Sequence, residues 1–523
     1  MKGFTTRPLL MLTLASCLAG MPPAFADDDN NYEVWVSDQT NSKGFSAAAD
    51  VGTYGGFLRV YSSKHLKMDP PVNLPLNLDV AEVFPNALLG TGANVVRLHG
   101  GLPSPNHNYM NVNFVGSGHL GIVDARTKTA VALFRTTGTS TGRQNHMSFW
   151  SPDGKYLLVA NQAGRMLERV NITWDRSGKN IVSAVFDANA SLDLVGGVGR
   201  ITAAPVADPS LPLGSVVGTV ADGQSTLAPS GALKQAAGIR PTNTVICPIN
   251  ASDNKHTFVT LGGGGMFVVD YSVSPMAIVA EYTSSVIRNA GCGGTEAGGK
   301  MHINSGTSVA FPNESEFTIY RFDVTAFPPP SGAVNTPAAT IVYADPDNGK
   351  NCATDPTCAT AANRDAHGMG MSKPRGNNPQ FLHQFDRIRN NVETFNMTTL
   401  ARTTYSLTTA NGKLNGPTGS ACGTTAGAGT RNDPTADLLD ISPEGNRFYA
   451  AQRGPVPLTI SHAATGSCPG LGIVKLKKQS SRGALKYVLP TTVMNFAGTK
   501  NLSDPHGAAV RIVRNDNDED NDD

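Results

Sequence analysis

The chain has 523 residues, of which 16% are charged and 40% are hydrophobic, so it can bury a large core. A formal net charge of +1 gives it no electrostatic attraction for nucleic acid, and we expect no partner of that class. Its 55 glycines and 34 prolines, without a long apolar stretch at helical spacing, favour an all-β protein rich in turns.

The start of the chain is ordered like a signal peptide. A basic start precedes an apolar run over residues 8–19, which is too short to span a bilayer, and an Ala-Phe-Ala sequence ends at Ala26. We therefore expect residues 1–26 to be cleaved and the protein to be periplasmic or secreted. The alternative is lipoprotein processing at "LASC", which would leave a lipid anchor on Cys17.

Short alternating strands recur in groups of four beyond this segment. The groups align on their first strand and on turns such as "SPDGKY" at residues 151–156 and "SPEGNR" at 442–447, which have hairpin chemistry. In the fourth group the first strand is placed over residues 288–294. The six complete groups begin near residues 95, 146, 243, 288, 366 and 437.

One strand, over residues 506–513, remains after the sixth group, and three unmatched strands lie between residues 32 and 84. Radial repetition hides sheet edges when the last blade takes strands from both parts of the chain. The sequence therefore predicts an all-β, seven-bladed β-propeller over residues 27–514, closed by N-terminal strands that join the C-terminal inner strand.

The remaining segments are predicted from their composition. Insertions rich in Gly, Pro, Ala and Thr, at about residues 188–238, 325–363 and 402–435, are expected to be surface loops. Residues 515–523 are strongly acidic and are expected to be a disordered tail, with calcium binding as an alternative.

Six cysteines follow the signal segment, and an even number in an oxidising compartment indicates disulfides before metal ligands. "CATDPTC" closes a short loop between two of them. The blade register brings the others together in pairs. The predicted disulfides are Cys352 with Cys358, Cys247 with Cys292, and Cys422 with Cys468.

Residues at the same place in each inner strand lie around one central channel. Four of these seven positions carry histidine, although the chain has only eleven histidines. The seven positions are His99, His146, Asn243, Cys292, His367, Asp437 and His506.

Neutral imidazoles gathered outside the cytoplasm suit copper, zinc or iron, and copper is favoured by its affinity. Asp437 would act as an oxygen ligand or would orient a ligand. The alternative is a structural role, in which each ring bonds a neighbouring blade and the following glycine permits close approach. The predicted metal ligands are His99, His146, His367, His506 and Asp437.

Loops between the second and third strands place arginines at the same channel mouth. Arginine can hold a carboxylate or a phosphate through two parallel hydrogen bonds, which predicts a small anionic ligand. The alternative is an ion pair within a blade, for example with Asp386. The predicted ligand-binding residues are Arg165, Arg387, Arg389 and Arg453.

The turns "SPDGKYLLVAN" and "SPEGNRFYAAQRGP" resemble those of the YVTN-type secreted seven-bladed propellers, which are related to the propellers of nitrous oxide reductase and of lactonase-like proteins. The resemblance implies the fold more than the function. Propeller histidines hold a copper cluster in the nitrous oxide reductase relatives, and residues 146–170 are similar to them. This chain has neither a paired His-His on one strand nor a copper-carrying C-terminal domain, so that enzyme's reaction is not expected.

Three functions from different classes follow. The first is metal binding with a redox role. The second is metal-free hydrolysis of a small anionic lactone or ester, with a histidine as the base and an arginine stabilising the oxyanion, for which His506 and Arg453 are one example. The third is a non-catalytic scaffold that binds a protein partner on its loop face. Catalytic residues stay unassigned.

Overall fold

Seven antiparallel sheets of four principal strands make up the computed structural model, and they confirm the predicted seven-bladed β-propeller. The structure describes residues 31–46, 51–194, 200–201, 210–220, 236, 238–289, 291–307, 309–329, 336–374, 379–408 and 434–514. The predicted signal segment and acidic tail lie outside these residues.

The first three described strands belong to the last blade. They are β1 (Tyr32–Asp38), β2 (Phe57–Ser62) and β3 (Leu76–Asp79). The helices are α1 (Ser63–Leu66), α2 (Val80–Val83) and α3 (Ala87–Thr91), with a 3-10 turn at Val324–Ala326. Within the described ranges, no helix has the length and apolar character needed to cross a membrane.

Blades 1 to 3 follow, with their strands numbered from the channel outwards. Blade 1 consists of β4 (Leu98–Pro103), β5 (Tyr109–Phe114), β6 (His119–Asp124) and β7 (Thr129–Arg135). After β8 (Gly138–Thr139), blade 2 consists of β9 (Asn145–Trp150), β10 (Tyr156–Asn161), β11 (Met166–Trp174) and β12 (Ile181–Phe186). The short strands β13 (Leu192–Asp193), β14 (Arg200–Ile201) and β15 (Ser215–Val217) precede blade 3, which consists of β16 (Val245–Asn250), β17 (His256–Leu261), β18 (Met266–Asp270) and β19 (Ala277–Tyr282).

Blades 4 to 6 repeat the same order. Blade 4 consists of β20 (Gly294–Ala297), β21 (Lys300–Ser305), β22 (Thr318–Asp323) and β23 (Thr340–Ala344). Blade 5 consists of β24 (Ala366–Met371), β25 (Phe381–Asp386), β26 (Asn391–Asn396) and β27 (Arg402–Ser406). Blade 6 consists of β28 (Ala436–Ile441), β29 (Arg447–Gln452), β30 (Gly470–Lys477) and β31 (Arg482–Pro490), and β32 (Pro505–Ile512) follows.

Blade 7 closes the ring as predicted. Its strand order is β3-β2-β1-β32, so the inner strand comes from the C-terminal part of the chain and the outer three from the N-terminal part. β32 pairs antiparallel with β1, and Trp35 lies opposite Ala509 in the register. Trp35 is only 2% exposed, which makes the seam part of the hydrophobic core.

The core lies between neighbouring blades. Apolar residues point from the faces of each sheet into the next, because strands buried on both sides place side chains alternately on each face. Blades 3 and 4 share one such cluster, in which the rings of Phe258 and Phe322 are 5.4 Å apart between centroids. The propeller is therefore held together around its circumference.

The glycine-containing turns lie between the first and second strands of blades 2 and 6, as predicted. Gly154 and Gly445 have φ values of 71° and 65°, which a residue with a Cβ adopts only with strain. Ser151 also donates a hydrogen bond of 2.7 Å to the carboxylate of Asp153 within the first turn.

The first strand of blade 4 begins later than predicted. The prediction placed it over residues 288–294, whereas β20 spans Gly294–Ala297. The reason is Asn304, whose side chain accepts a hydrogen bond from Gly293 N (3.2 Å) and donates one to the His367 carbonyl (2.6 Å). A side chain therefore replaces strand pairing just before β20.

The predicted loop insertion at residues 188–238 contains more strand than expected. β15 pairs in parallel with β7 and extends the outer edge of blade 1, where an unpaired strand would otherwise be open. β23 and β27, the outer strands that the four-strand repeat predicts for blades 4 and 5, lie within the ranges given for the other two insertions. The insertions therefore supply outer strands as well as loops.

Candidate functional site

Four histidines from the inner strands meet in the central channel. His99 of β4 stacks on His506 of β32 with ring centroids 3.7 Å apart, and His146 of β9 lies edge-on to His99 at 4.4 Å. His367 of β24 lies 6.0 Å from His506. All four side chains are buried. The inner strands thus bring together all four histidines that were predicted to meet.

Asp437 of β28 lies beside two of these rings. Its Oδ1 is 2.9 Å from His367 Nε2, and its Oδ2 is 3.8 Å from His506 Nε2. The first contact is short, but it is not aligned as a hydrogen bond, since His367 Nε2 has no such partner among the described residues. One donor atom from each of the three residues lies within 4.8 Å of the others, a spacing that could hold a metal ion.

The hydrogen bonds of His99 and His506 assign their tautomers. His506 Nδ1 is 2.7 Å from the His99 carbonyl oxygen, which can only accept, so Nδ1 carries the proton. His99 Nδ1 is 3.0 Å from Gln39 Oε1, and the amide nitrogen of Gln39 donates to the carboxylate of Asp504. Both rings therefore keep their lone pair on Nε2. The Nε2 atom of His99 is buried and has no hydrogen-bond partner within the described chain.

Burial keeps these rings neutral. It lowers the pKa of His99 and of His506 well below the usual value, and this effect outweighs Asp437, which raises both pKa values. It also lowers the pKa of His146 to about 4. Neutral imidazole is the form that binds metal ions.

Two fully buried arginines surround Asp437. Arg387 Nε donates to Asp365 Oδ2 at 2.6 Å, and its Nη1 donates to Asp437 Oδ1 at 3.1 Å. Arg453 Nη1 donates to Asp437 Oδ2 at 2.6 Å, and its Nε donates to Asp504 Oδ1 at 2.6 Å. Each arginine therefore links the inner strand of its own blade to that of the next blade.

This network explains a repeated sequence. "DAHG" at residues 365–368 and "DPHG" at 504–507 each place an aspartate two residues before a channel histidine. Asp365 and Asp504 bind the arginines, while the histidines line the channel. These two aspartates were not among the predicted site residues, although their identical distance from histidine was a signal that could have identified them.

The network contains three carboxylates and two guanidiniums. Burial alone would raise the pKa of the Asp437 carboxyl, but the guanidiniums of Arg387 and Arg453 outweigh it and hold that pKa well below its usual range. Burial also raises the pKa of Asp504, and its bidentate bond to Arg453, which stays protonated, opposes that rise. The carboxylates of the network therefore outnumber its guanidiniums by one.

The other two predicted arginines lie away from the channel network. Arg389 donates two hydrogen bonds to the Ala362 carbonyl, at 3.0 and 2.8 Å. Arg165 is half-buried in the turn between β10 and β11, with a φ of 53°. Asp386 pairs with Arg364 at 2.7 Å, so the ion pair offered as an alternative involves an arginine outside the predicted set.

A cavity of about 420 Å³ lies beside the histidine cluster. His146 and His367 line it, together with Cys292. None of the described lining residues is aspartate, glutamate, lysine or arginine. The polar remainder of the lining consists of Gln144, Gln162, Thr242, Thr244, Thr307 and Thr459. Such a surface suits a small uncharged molecule placed against two imidazoles.

Two of the predicted disulfides are confirmed. Cys247 bonds to Cys292, which joins blade 3 to the start of blade 4, and Cys352 bonds to Cys358 within one loop. The predicted pair of Cys422 with Cys468 lies outside the described residues, because Cys422 does.

Residues 138–142 spell G-x-S-x-G, which marks a hydrolase nucleophile only between a strand and a helix. Here Thr139 and Gly142 exchange backbone hydrogen bonds of 3.1 and 2.9 Å and close a tight turn that leads into blade 2. Ser140 is exposed in that turn. Residues 138–142 therefore form a turn between two blades.

Comparison with known proteins does not identify a family for this chain. No family model and no curated protein matches the chain. Similar solved structures include a putative 6-phosphogluconolactonase from Bacteroides uniformis (10% identity over 92% of this chain and 99% of that chain, TM-score 0.45) and the periplasmic gluconolactonase of Pseudomonas aeruginosa (11%, 92% and 100%, 0.43). Another is dihydro-heme d1 dehydrogenase NirN (13%, 94% and 78%, 0.38). At these identities and TM-scores the likeness carries no argument about function.

Proposed function

We propose that the protein binds a transition-metal ion at the base of the 420 Å³ cavity. The ligands would be His99, His367, His506 and Asp437, with His146 beside them at the cavity wall. The observation that carries this proposal is the pair of fixed tautomers. His99 and His506 each donate Nδ1–H to a protein oxygen and keep an Nε2 lone pair in a buried position. Metal-binding histidines are typically held in this way.

The charge of the surrounding network supports a bound cation. Two guanidiniums face three carboxylates, and an unbalanced buried charge is costly. A metal ion next to Asp437 would offset the excess negative charge. The arginines would also hold the carboxylate of Asp437 in position beside the rings.

The donor set favours copper. Imidazole nitrogens with one carboxylate oxygen suit copper or zinc, and copper binds such ligands more tightly. Copper would supply one-electron redox chemistry or would polarise a bound molecule. His146 and His367 line the cavity, so they would orient a small molecule beside the site. The disulfides and the signal-like start support a role outside the cytoplasm.

Metal analysis of the purified full-length protein tests this proposal. After loading with Cu²⁺ and removal of the excess, we expect about one copper per chain in the wild type, and its loss in the double variant His367→Ala and His506→Ala. His65→Ala, on α1, is the control and should keep the copper. Wild-type protein with a native near-UV circular dichroism spectrum that retains no copper would contradict the proposal.

A metal-free hydrolase is the second candidate, and His367 favours it. This ring lines the cavity, where it could act as a general base, and its Nε2 lies 2.9 Å from Asp437 Oδ1. The neutral lining indicates an uncharged lactone rather than the anionic one expected from the arginines. Lactone turnover that survives chelation and is lost in His367→Gln would support this function over metal binding.

A further inference from the structure

The disulfide between Cys247 and Cys292 lies directly beside a channel histidine. His146 Nδ1 is 3.7 Å from Cys292 Sγ and 4.0 Å from Cys247 Sγ. One donor atom from each of the three residues lies within 4.8 Å of the others. As a disulfide the two sulfurs are poor ligands, but as thiolates they would be strong ones.

The bond is open to small molecules from the channel. Cys292 lines the 420 Å³ cavity and also a second, apolar cavity of about 120 Å³. Cys247 is fully buried behind it. A small thiol that enters the cavity can therefore reach Cys292 Sγ.

The propeller does not depend on this bond for its closure. Cys247 belongs to the sheet of blade 3, and Cys292 precedes the sheet of blade 4. Each of these blades keeps its own four strands, a shared apolar cluster packs them together, and the ring is closed by β1 and β32. Reduction would therefore free two sulfurs inside a cavity whose walls stay in place.

We propose that reduction of this disulfide creates a second metal site, formed by the thiolates of Cys247 and Cys292 and by His146 Nδ1. Two molecules of a small thiol would supply two electrons and two protons and would leave as their own disulfide, while Cys247 and Cys292 become thiols. The metal ion would then displace both thiol protons on binding. The neutral ring of His146 offers its Nδ1 lone pair in the Nε2–H tautomer.

The two sites would select different ions. Two thiolates and one imidazole form a soft donor set that suits Zn²⁺ or Cu⁺, unlike the nitrogen and oxygen donors around Asp437. The oxidation state of one disulfide would thereby decide whether the cavity wall binds a soft metal. This inference does not depend on a metal at the first site.

Cobalt titration of the full-length protein tests the proposal. We would reduce the protein with a phosphine in the absence of oxygen and add Co²⁺, whose bonds to thiolates give an intense near-ultraviolet charge-transfer band. We expect the band at about one Co²⁺ per chain in reduced wild type, and no band in oxidised wild type. Zn²⁺ should displace the Co²⁺ and abolish the band. Co²⁺ bound only by imidazole and carboxylate gives no such band, so the two sites are distinguished.

Three variants locate the site. The double variant Cys247→Ser and Cys292→Ser should lose the band, and His146→Ala should weaken Co²⁺ binding about tenfold or more. The matched control, Cys352→Ser with Cys358→Ser, removes the other described disulfide and should keep the band. A band that persists without Cys247 and Cys292, its absence in reduced wild type, or loss of the native near-UV circular dichroism spectrum on reduction would each overturn the proposal.

Discussion

At the scale of single residues, the sequence placed the channel histidines correctly but gave no account of what holds them. The blade register alone aligned His99, His146, His367 and His506, because equivalent inner-strand positions face one axis. The pairing of Arg387 with Asp365 and Asp437 depends on the contact between two blades. A pattern within one blade cannot give that contact.

The glycine after His367 is required by close packing, which gives a first residue-scale prediction. A Cβ on Gly368 would lie 2.1 Å from the Asp437 carbonyl oxygen, whereas a Cβ on Gly507 would meet nothing closer than 3.4 Å. Gly368→Ala must therefore push two inner strands apart. We expect it to lower the free energy of unfolding by about 1–3 kcal/mol and to reduce copper retention.

Gly507→Ala is the matched control, since it makes the same change after His506. It should change the free energy of unfolding by less than Gly368→Ala and should leave copper retention unchanged. Urea titration followed by fluorescence measures the first quantity, and metal analysis of the same samples measures the second. Equal effects of the two substitutions would show that the contact with Asp437 is not the reason for glycine at this position.

At the scale of elements, the periodic strands were predictable and the exceptions were not. Alternating apolar residues and Gly-containing turns located most blade strands, because each of these signals lies within a short stretch of sequence. β20 was misplaced, since the side chain of Asn304 takes over hydrogen bonds that strand pairing would otherwise make. A side chain that takes the place of backbone pairing can be recognised only when the contacts of Asn304 with Gly293 and with His367 are known.

The seam of blade 7 gives an element-scale prediction. Trp35 on β1 is 2% exposed and packs where the two parts of the chain meet, whereas Trp174 on β11 is only partly buried on the outer half of blade 2. Trp35→Ala should cost about 3–5 kcal/mol of unfolding free energy. Trp174→Ala should cost less. Guanidinium titration compares the two, and a larger loss for Trp174→Ala would argue against the seam as a main contributor to stability.

At the scale of the whole molecule, the count of seven blades followed from the single unmatched strand at the end of the repeats. The lining of the 420 Å³ cavity could not be predicted in the same way. Its residues come from loops of several blades, and the sequence does not fix how those loops lie over the channel. The neutral lining is the main departure from the expected anionic ligand.

Buried histidines also set the response of the whole protein to acid. Burial lowers the pKa of His302 to about 4 and that of His383 to about 3, from an ordinary value of 6.5. Between pH 6.5 and about 4 the unfolded chain therefore binds protons that the folded chain does not. The stabilisation is complete above pH 6.5 and is lost as the pH falls, by about 1.4 kcal/mol for each unit that separates the two pKa values.

Melting temperatures measured from pH 7.5 to pH 4 check this expectation. We expect a fall that begins near pH 6.5 in the wild type, and a shallower fall in the double variant His302→Gln and His383→Gln, whose side chains do not titrate. Neither residue belongs to the proposed metal site. Both proteins are compared without metal, because loss of a bound ion at low pH would also lower the melting temperature. An equal slope in both proteins would assign the acid sensitivity to other groups.

The closing strand has a consequence for the order in which the protein matures. β32 carries His506, and Gln39, which orients His99, follows β1 at the opposite end of the described chain. During synthesis the six other blades can form before β32 is made, but the proposed pocket for copper would still lack one wall. Copper would therefore bind only after β32 has joined the ring. Chains that end before β32 would not bind it.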